Sequence, residues 1–598
     1  MKPESLRSVN VVCVLCVIAL AGGCGSNQAP PPTPPPISVA VTPQAAAIGT
    51  GQSTQFSVTS NDATGVTWTA SAGTIDANGN YTAPPGTQSM TVTVTATSKK
   101  DTTKTAGATV NVVAPGQVAP TANVQVALYT IAPAGAGKVS VQFGLDTNYG
   151  LTTWTQPVPQ GGGAVSLFVA GMKASTLYHM RGVVQFGDGT QFMDADQTFT
   201  TGAVPAAQLP TITTTTTAGM TPQSGVELLD LVNVPSTVAP VAVTDLNGNV
   251  LWSYNPNLAN QLVNPVKLLP NGHFLINISA GSPDGLNSVL QEVDLTGALV
   301  WQMTAADLNK ALTASCAATG IGCNLTVTGT HHDFVLLPKG HLIVIAGTQE
   351  VISGTTVTGD VIIDLDQNHK PVWLWNEFDH LDVNRRPMQF PDWTHSNAVI
   401  YSADDGNLII SIRHQNWLVK IDYANGSGAG DIIWKLGYQG DFALLNSDGT
   451  ADTNAADWFF AQHGPSFVSS NTTGKFSLIL FDNGDDRGVT VVGAGGSCNL
   501  SGQPPCYSTL PLLQLDETAM TATLALHPMA PTYSFFGGNA AVLKNGNVEY
   551  CESAGGPGTG DIYEVTQDSS AQTAWKMVTG GFAYRGQRIP SFYPGVQW

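Results

Sequence analysis

The chain has 598 residues, of which 11% are charged, with 63 Gly, 37 Pro and a net charge of −19. That length exceeds one ordinary domain, so several are expected. The acidic balance excludes nucleic acid and an anionic membrane surface as partners, since either needs a basic face, and low charge with many turn formers points to an exported all-β protein.

Residues 1–23 read as a signal peptide: Lys2 and Arg7 precede the apolar run 11–20, which is too short to span a bilayer. Leu20-Ala21-Gly22-Gly23-Cys24 places small residues before a cysteine, as in a bacterial lipobox, although Ala stands three before the Cys where Leu is usual. Lipidation of Cys24 is the expectation, with plain secretion as its alternative. Residues 24–36 then form the anchor and a stiff Pro-rich linker. Cys13 and Cys16 leave with the signal. In an oxidising compartment Cys316 with Cys323, and Cys498 with Cys506, are spaced for two local disulfides, and Cys551 remains as a buried thiol. No zinc-ligand spacing occurs.

Residues 37–115 alternate apolar and polar residues in short runs separated by turn clusters such as Asn61-Asp62, and the run 66–70 around Trp68 is the expected core strand. This reads as a β-sandwich resembling bacterial Ig-like modules. Residues 116–203 repeat the style, and Leu177-Tyr178-His179-Met180-Arg181 looks like a fibronectin type III strand. Neither stretch carries a convergent polar cluster, so both read as spacers or adhesive units.

An internal repeat fills residues 204–598. One half of it is an apolar run, a Gly turn and a second apolar run, as in Leu268-Leu269-Pro270-Asn271-Gly272-His273 and Leu336-Leu337-Pro338-Lys339-Gly340-His341. The other half is an acidic strand, a turn and a strand with Trp; Trp252, Trp301, Trp373, Trp434 and Trp575 mark it and read as packing between neighbouring units. Two hairpins make a four-stranded blade, and about 395 residues allow about six, which predicts a six-bladed β-propeller.

Three histidines occupy matching points of this repeat, each just before an apolar run: His331-His332-Asp333, His395-Ser396-Asn397 and His463-Gly464-Pro465. Units stacked about an axis bring equivalent positions together, so three imidazoles are expected to converge. Side chains alternate along a strand, which favours His331 over His332 as the one facing inward; a bulge would reverse this. Arg413 ends the partner strand of the His395 hairpin, and a guanidinium beside imidazoles suits an oxyanion. Asn397, two residues after His395, adds a donor. A solvated position is expected for His414 and Lys435. Asp333 is the one obvious extra ligand if the histidines held a metal, but Arg413 opposes that reading and no metal or other cofactor is expected. Trp393, Trp417, Trp458, Phe459 and Phe460 are candidates to line a mouth for a phenyl ring, with packing the commoner fate. Pro465 stands where the other two units have Asp or Asn, which leaves His463 without an evident acidic or amide partner.

The stretch Asp392-Trp393-Thr394-His395-Ser396-Asn397-Ala398-Val399 through Ser411-Ile412-Arg413-His414-Gln415, together with Gln462-His463 and Phe481-Asp482-Asn483-Gly484, resembles the bacterial arylsulfate sulfotransferase family. The resemblance covers residues 204–598. It implies a six-bladed propeller, periplasmic or at the cell surface, that moves a sulfuryl group from a phenolic sulfate ester to another phenol without a nucleotide sulfate donor. It further implies that His463 becomes transiently sulfated, while His331 or His332, His395 and Arg413 hold the sulfate oxygens. The expected partners are a small aryl sulfate and a phenolic acceptor, with a membrane met only through the N-terminal anchor; a homodimer is left open. The competing readings are a non-catalytic surface propeller that binds glycans or sulfated polymers, and a metal-dependent lactonase or hydrolase.

Overall fold

A computed structural model describes residues 35–257, 261–280, 288–388, 390–485, 487 and 505–598. The signal segment, Cys24, most of the Pro-rich run and Cys498 lie outside the described residues. The chain is all-β, and Ala305–Thr319 is the one helix of more than four residues among those described. Thr304 and Asp307 cap its start reciprocally, and Gly320, in the left-handed conformation, ends it. Cys316, in its last turn, is disulfide-bonded to Cys323. Cys506 is also disulfide-bonded, and Cys551 is a free, buried thiol.

Two groups of short sheets come first. Residues 39–113 close around Phe56, Tyr81, Val92, Val94 and Val110 and have a core of their own. Residues 117–200 do not. Their core, from Tyr129 to Phe192, runs on through Trp252, Phe274, Phe592 and Tyr593. Tyr593 also donates from its hydroxyl to the Phe168 carbonyl and accepts from the Ala170 N–H, and the Trp598 indole donates to Thr152 O. The second group therefore shares its core with the sheets that follow and is not an independently packed unit.

Six sheets follow in chain order among the described residues, antiparallel except where Ala443–Leu445 joins the edge of the fifth in parallel. The second is Gln261–Leu268, Phe274–Ala280, Val289–Val293 and Leu299–Thr304. The third is Val327–Leu336, Leu342–Ile352, Thr355–Leu365 and Pro371–Asn376. The fourth is Ser396–Ser402, Asn407–Ile412, Trp417–Ile421 and Ile432–Leu436. The fifth starts at His463–Thr472 and the sixth at Asn539–Val542. The first sheet takes its inner strand from the far end of the chain: Phe582–Ile589 pairs with Val226–Val232, while Ile212–Thr216 joins the outer edge of the sixth. The first strand of each sheet packs against that of the next, and the sixth sheet packs back on Phe582–Ile589.

Local chemistry explains the repeat. Gly272, Gly340 and Gly546 all have φ near +80°, and each N–H bonds the carbonyl three residues back, at Leu269, Leu337 and Leu543. Only glycine enters that region without strain. In the second hairpin Asp245, Asp294 and Asp366 each accept from backbone N–H groups two and four residues on, which fixes the turn before the Trp strand. The tryptophans dock one sheet on the next. Trp252 donates to Leu295 O, Trp373 to Gly428 O, Trp434 to Glu517 and Trp575 to Leu246 O, each in the following sheet, while Trp301 stacks on His369 at 3.8 Å. A buried indole N–H needs an acceptor, so these bonds fix orientation as well as contact.

Candidate functional site

The inner strands share one irregularity. Pairing with the neighbouring strand slips at Asn264-Pro265, between Thr330 and Phe334, at Asn397, at Gly464-Pro465, and at Tyr584. These are β-bulges at equivalent places in five of the six sheets, and a bulge re-aims the side chains it carries. His332 and His395 both have positive φ, +59° and +52°. The result is a cluster of His332, His395, His463, Arg413 and Tyr584, delivered by four different sheets.

The bulge overturns the alternation that favoured His331. His332 is the one that faces the cluster: its Nε2 lies 3.0 Å from His395 Nε2 and its Nδ1 lies 3.0 Å from the Tyr584 hydroxyl. His331 turns the other way and puts Nε2 2.8 Å from Asp360 Oδ1, behind the strand. Asp360 also accepts from Thr394 Oγ1 and Ser396 N, so it braces the backbone on both sides of His395.

His463 is buried and has a defined tautomer. Its Nδ1 lies 2.7 Å from Asn483 Oδ1 and 3.1 Å from Ala461 O. The orientation of the Asn483 amide is set by its NH₂ group, which donates to the carbonyls of Ser534 and Gly537. Two acceptors against Nδ1 place the hydrogen there, so Nε2 keeps its lone pair, and the N–H of Gly537 points at it from 3.3 Å. Burial first, then Arg413, pushes the imidazolium form of His463 well below the usual histidine range, so the ring is neutral. Asn483 is thus the amide partner that the presence of Pro465 had left in doubt; it comes from the neighbouring strand's end rather than from the residue two after the histidine. Gly464 has φ +48°, and a Cβ there would meet Asn539 at 2.5 Å, so no side chain fits beside His463.

His395 holds Nδ1 2.6 Å from Asp392 Oδ2. Burial opposes ionisation of Asp392, but His395, His414 and Arg413 outweigh it and hold the carboxyl below the usual carboxylate range. His414, expected at a solvated position, is 1% exposed and stacks on His395 at 4.6 Å. Its Nδ1 donates to Asp392 O and its Nε2 accepts from Arg413 Nη1 at 2.8 Å. Asp392, His395 and His414 are close enough for their ligand atoms to share an ion. Both nitrogens of His414 are already committed, however, and a cation would sit against the Arg413 guanidinium. The trio acts as a hydrogen-bonded unit.

Arg413 reaches the cluster, with Nη2 bonded to Asp485 Oδ2 at 2.9 Å and to Phe535 O at 3.1 Å, while its Nε has no partner among the described residues. The Asn397 side chain donates to Gln462 O at 2.7 Å, and its buried Oδ1 has no partner among the described residues. Asp333 is no free ligand: it pairs with Lys267 at 2.6 Å and Arg585 at 3.3 Å. Arg585 in turn donates to the carbonyls of His332 and Asn397 and ties two bulges together. Trp393, Trp417, Trp458, Phe459 and Phe460 are all buried packing groups. Phe535, beside the Arg413 contact, is 50% exposed and meets solvent there. Lys435 is partly exposed, with its ammonium 3.8 Å from Asp441, and takes no part in the cluster.

Tyr584, Arg585, Asp392, Asn483 and Gly537 were not singled out from the sequence. Asp392 stands three residues before His395 and Asn483 lies within a quoted segment, so both had a signal. Tyr584 and Arg585 had none, because their strand closes the first sheet from the other end of the chain.

An arylsulfotransferase (ASST) family model matches residues 214–585, more than half of the chain. The arylsulfate sulfotransferase AssT of Escherichia coli O6:H1 is 30% identical over 108 residues, which is 16% of this chain and 17% of the relative's length. Among solved structures, a GH43 β-1,3-galactosidase reaches a TM-score of 0.25 at 10% identity, covering 58% of this chain and 97% of that one. The ICAM-5 D1–D4 ectodomain reaches 0.17 at 10% identity, covering 55% and 99%. These two similarities are too low to carry weight. The family match includes every residue of the histidine cluster, and the chain belongs to the arylsulfotransferase family.

Proposed function

We propose that the protein is an aryl-sulfate sulfotransferase that works in two half-reactions through a sulfated His463. The tautomer of His463 carries this reading: Nδ1–H is held by Asn483, and Nε2 offers a lone pair on a neutral, buried ring. In the first half-reaction Nε2 attacks the sulfur of a phenolic sulfate ester and the S–O bond to the phenol breaks. In the second, the oxygen of an acceptor phenol attacks the same sulfur and the N–S bond returns its electron pair to Nε2. Splitting one hard displacement into two is the gain of a covalent intermediate. Arg413 holds the sulfuryl oxygens, its Nε being a donor without a partner among the described residues, and His332 and His395 stand beside it. Asn397 borders the same space.

Six sheets packed in cyclic order support the six-bladed propeller reading, with the inner-strand bulges at one level of its axis. Residues 37–115 and 116–203 are read as Ig-like and fibronectin III-like sandwiches. No helix among the described residues is long and apolar enough to cross a membrane. A periplasmic or cell-surface location with a lipid anchor at Cys24 is the reading that suits the N-terminal segment.

The test is intact mass after brief incubation with 4-nitrophenyl sulfate. The expected result is a gain of one sulfuryl group on a peptide containing His463, lost on adding phenol and absent in His463→Asn. Undiminished transfer in His463→Asn would remove the nucleophile assignment. Binding without turnover in the unmodified protein would favour the non-catalytic reading.

A further inference from the structure

Four groups beside His463 are joined end to end. Asp392 Oδ2 lies 2.6 Å from His395 Nδ1, His395 Nε2 lies 3.0 Å from His332 Nε2, and His332 Nδ1 lies 3.0 Å from the Tyr584 hydroxyl. Two facing Nε2 atoms at that distance need one hydrogen between them. An ionised Asp392 accepts from His395, so Nδ1 of His395 always carries a hydrogen, and two arrangements of the rest are allowed. In one, the Tyr584 hydroxyl donates to His332 Nδ1, His332 Nε2–H donates to His395, and both rings are neutral. In the other, the pair has gained one proton: His395 is an imidazolium donating from Nε2, and His332 has turned its hydrogen onto Nδ1, towards Tyr584. A second added proton would set two N–H groups against each other.

We propose that Asp392, His395, His332 and Tyr584 form a relay that stores the single proton exchanged between the two half-reactions, with Asp392 as its positioning residue and the Tyr584 hydroxyl as the end that passes the proton. The inference rests on the sulfuryl-transfer reading above. The balance closes over the cycle. As the S–O bond breaks, its electron pair leaves on the phenolic oxygen, which takes the hydroxyl proton of Tyr584; Tyr584 takes the proton of His332 Nδ1 and His332 Nε2 takes that of His395 Nε2, which restores the neutral arrangement. When the acceptor phenol attacks, its proton returns to the pair, and His463 Nε2 recovers its lone pair.

The surroundings decide where the charge rests. His332 faces His395, His331, His463 and Arg413, and burial together with these neighbours disfavours its charged form. Tyr584 and Arg585 face it from the closing strand. His395 faces Asp392 on one side and stacks on His414, which is itself kept neutral by burial, His395 and Arg413. Only His395 has a carboxylate on its outer nitrogen, so the stored charge belongs there. Tyr584 is buried, which raises its phenol above the usual range and keeps the hydroxyl protonated as a donor.

The reading separates donors by leaving group. Phenyl sulfate releases a phenolate of pKa about 10, as for tyrosine, and needs the proton; 4-nitrophenyl sulfate releases a far weaker base and does not. Because kcat/KM for the donor reports the first half-reaction alone, the expected effect of Asp392→Asn is a fall in the phenyl to 4-nitrophenyl ratio of kcat/KM by ~10- to 100-fold, within the usual range for general acids. Tyr584→Phe should move the ratio the same way. An equal loss for both donors in both variants would overturn the relay. In the unmodified protein kcat/KM for phenyl sulfate should fall in heavy water, where the transferred proton is replaced by deuterium, while that for 4-nitrophenyl sulfate stays level. This arm decides the matter even if a variant fails to fold, and equal isotope effects for the two donors would overturn the relay. If the unmodified protein transfers from neither donor, the proposed function fails and the relay with it.

Discussion

The rings of His331 and His332 stand 4.9 Å apart at 87°, and the two neighbours serve opposite sides of one strand. His331 binds Asp360 in the scaffold, and His332 meets His395 and Tyr584 in the cluster. Adjacent residues of the same type thus have different work, and substitution separates it. His332→Asn is expected to lower donor kcat/KM by ~10²- to 10⁴-fold with little change in melting temperature. His331→Asn breaks a buried pair and is expected to cost about 3–5 kcal/mol of stability while sparing activity in the folded fraction. Steady-state kinetics beside thermal melts check both, and the reverse pattern would restore the alternation-based choice.

Asn483→Asp keeps the size of the side chain but reverses its electrostatics. A carboxylate cannot donate to the carbonyls of Ser534 and Gly537, and it favours a proton on both nitrogens of His463. The expected outcome is a fall in kcat/KM for 4-nitrophenyl sulfate of about 10²-fold at neutral pH, with recovery as pH is raised. In the unmodified protein His463 is charged only well below the ordinary histidine value of 6.5, so the same rate should stay level as pH falls past 6.5. A pH profile of both proteins is the measurement.

Asp230 and Glu552 are buried carboxyls pushed up to about 7, from 3.8 and 4.5. Raised values mean that the folded state binds protons more tightly than the unfolded one. Their contribution to stability is complete below about pH 4 and is lost as pH rises to about 7. Asp230→Asn removes one such group. Melting temperatures at pH 4.5 and 7.5 should therefore move in the variant's favour at the higher pH, and a gap between variant and unmodified protein that ignores pH would contradict this.

The shared core between residues 117–200 and the sheets makes truncation points unequal. A chain starting at 116 should keep its melting temperature, because residues 39–113 have their own core. Starting at 204 strips the cover from Phe592 and Tyr593 and should lower it sharply. In the full chain Tyr593→Phe removes the acceptor for the Ala170 N–H and should cost about 1–3 kcal/mol, measured by denaturant titration.

The sequence made the sheet repeat legible because its signals are local. The Pro-Asn-Gly and Pro-Lys-Gly turns, the Asp before each Trp strand and the Trp itself each act within a few residues. The histidines were found because three units repeat them, and Arg413 because it ends a paired strand. What stayed hidden depends on register and on distance along the chain. A bulge between Thr330 and Phe334 exchanged His331 for His332, and no periodicity announces a bulge. Asn483 lies 20 residues beyond His463 and reaches it through strand pairing. His414, with the look of a surface residue, is buried because Asp392 and Arg413 satisfy both its nitrogens.

Phe582–Ile589 pairs with Val226–Val232 across at least 350 positions and carries both Tyr584 and Arg585. Such long-range pairing comes late and slowly, because the loop-closure entropy precedes any contact that rewards it. Until that strand arrives, His332 lacks its hydroxyl partner and the bulges at His332 and Asn397 lack the guanidinium that ties them. A chain cut short before residue 582 would retain every histidine of the cluster but neither Tyr584 nor Arg585, so assembly of the site reports that the closing strand has paired.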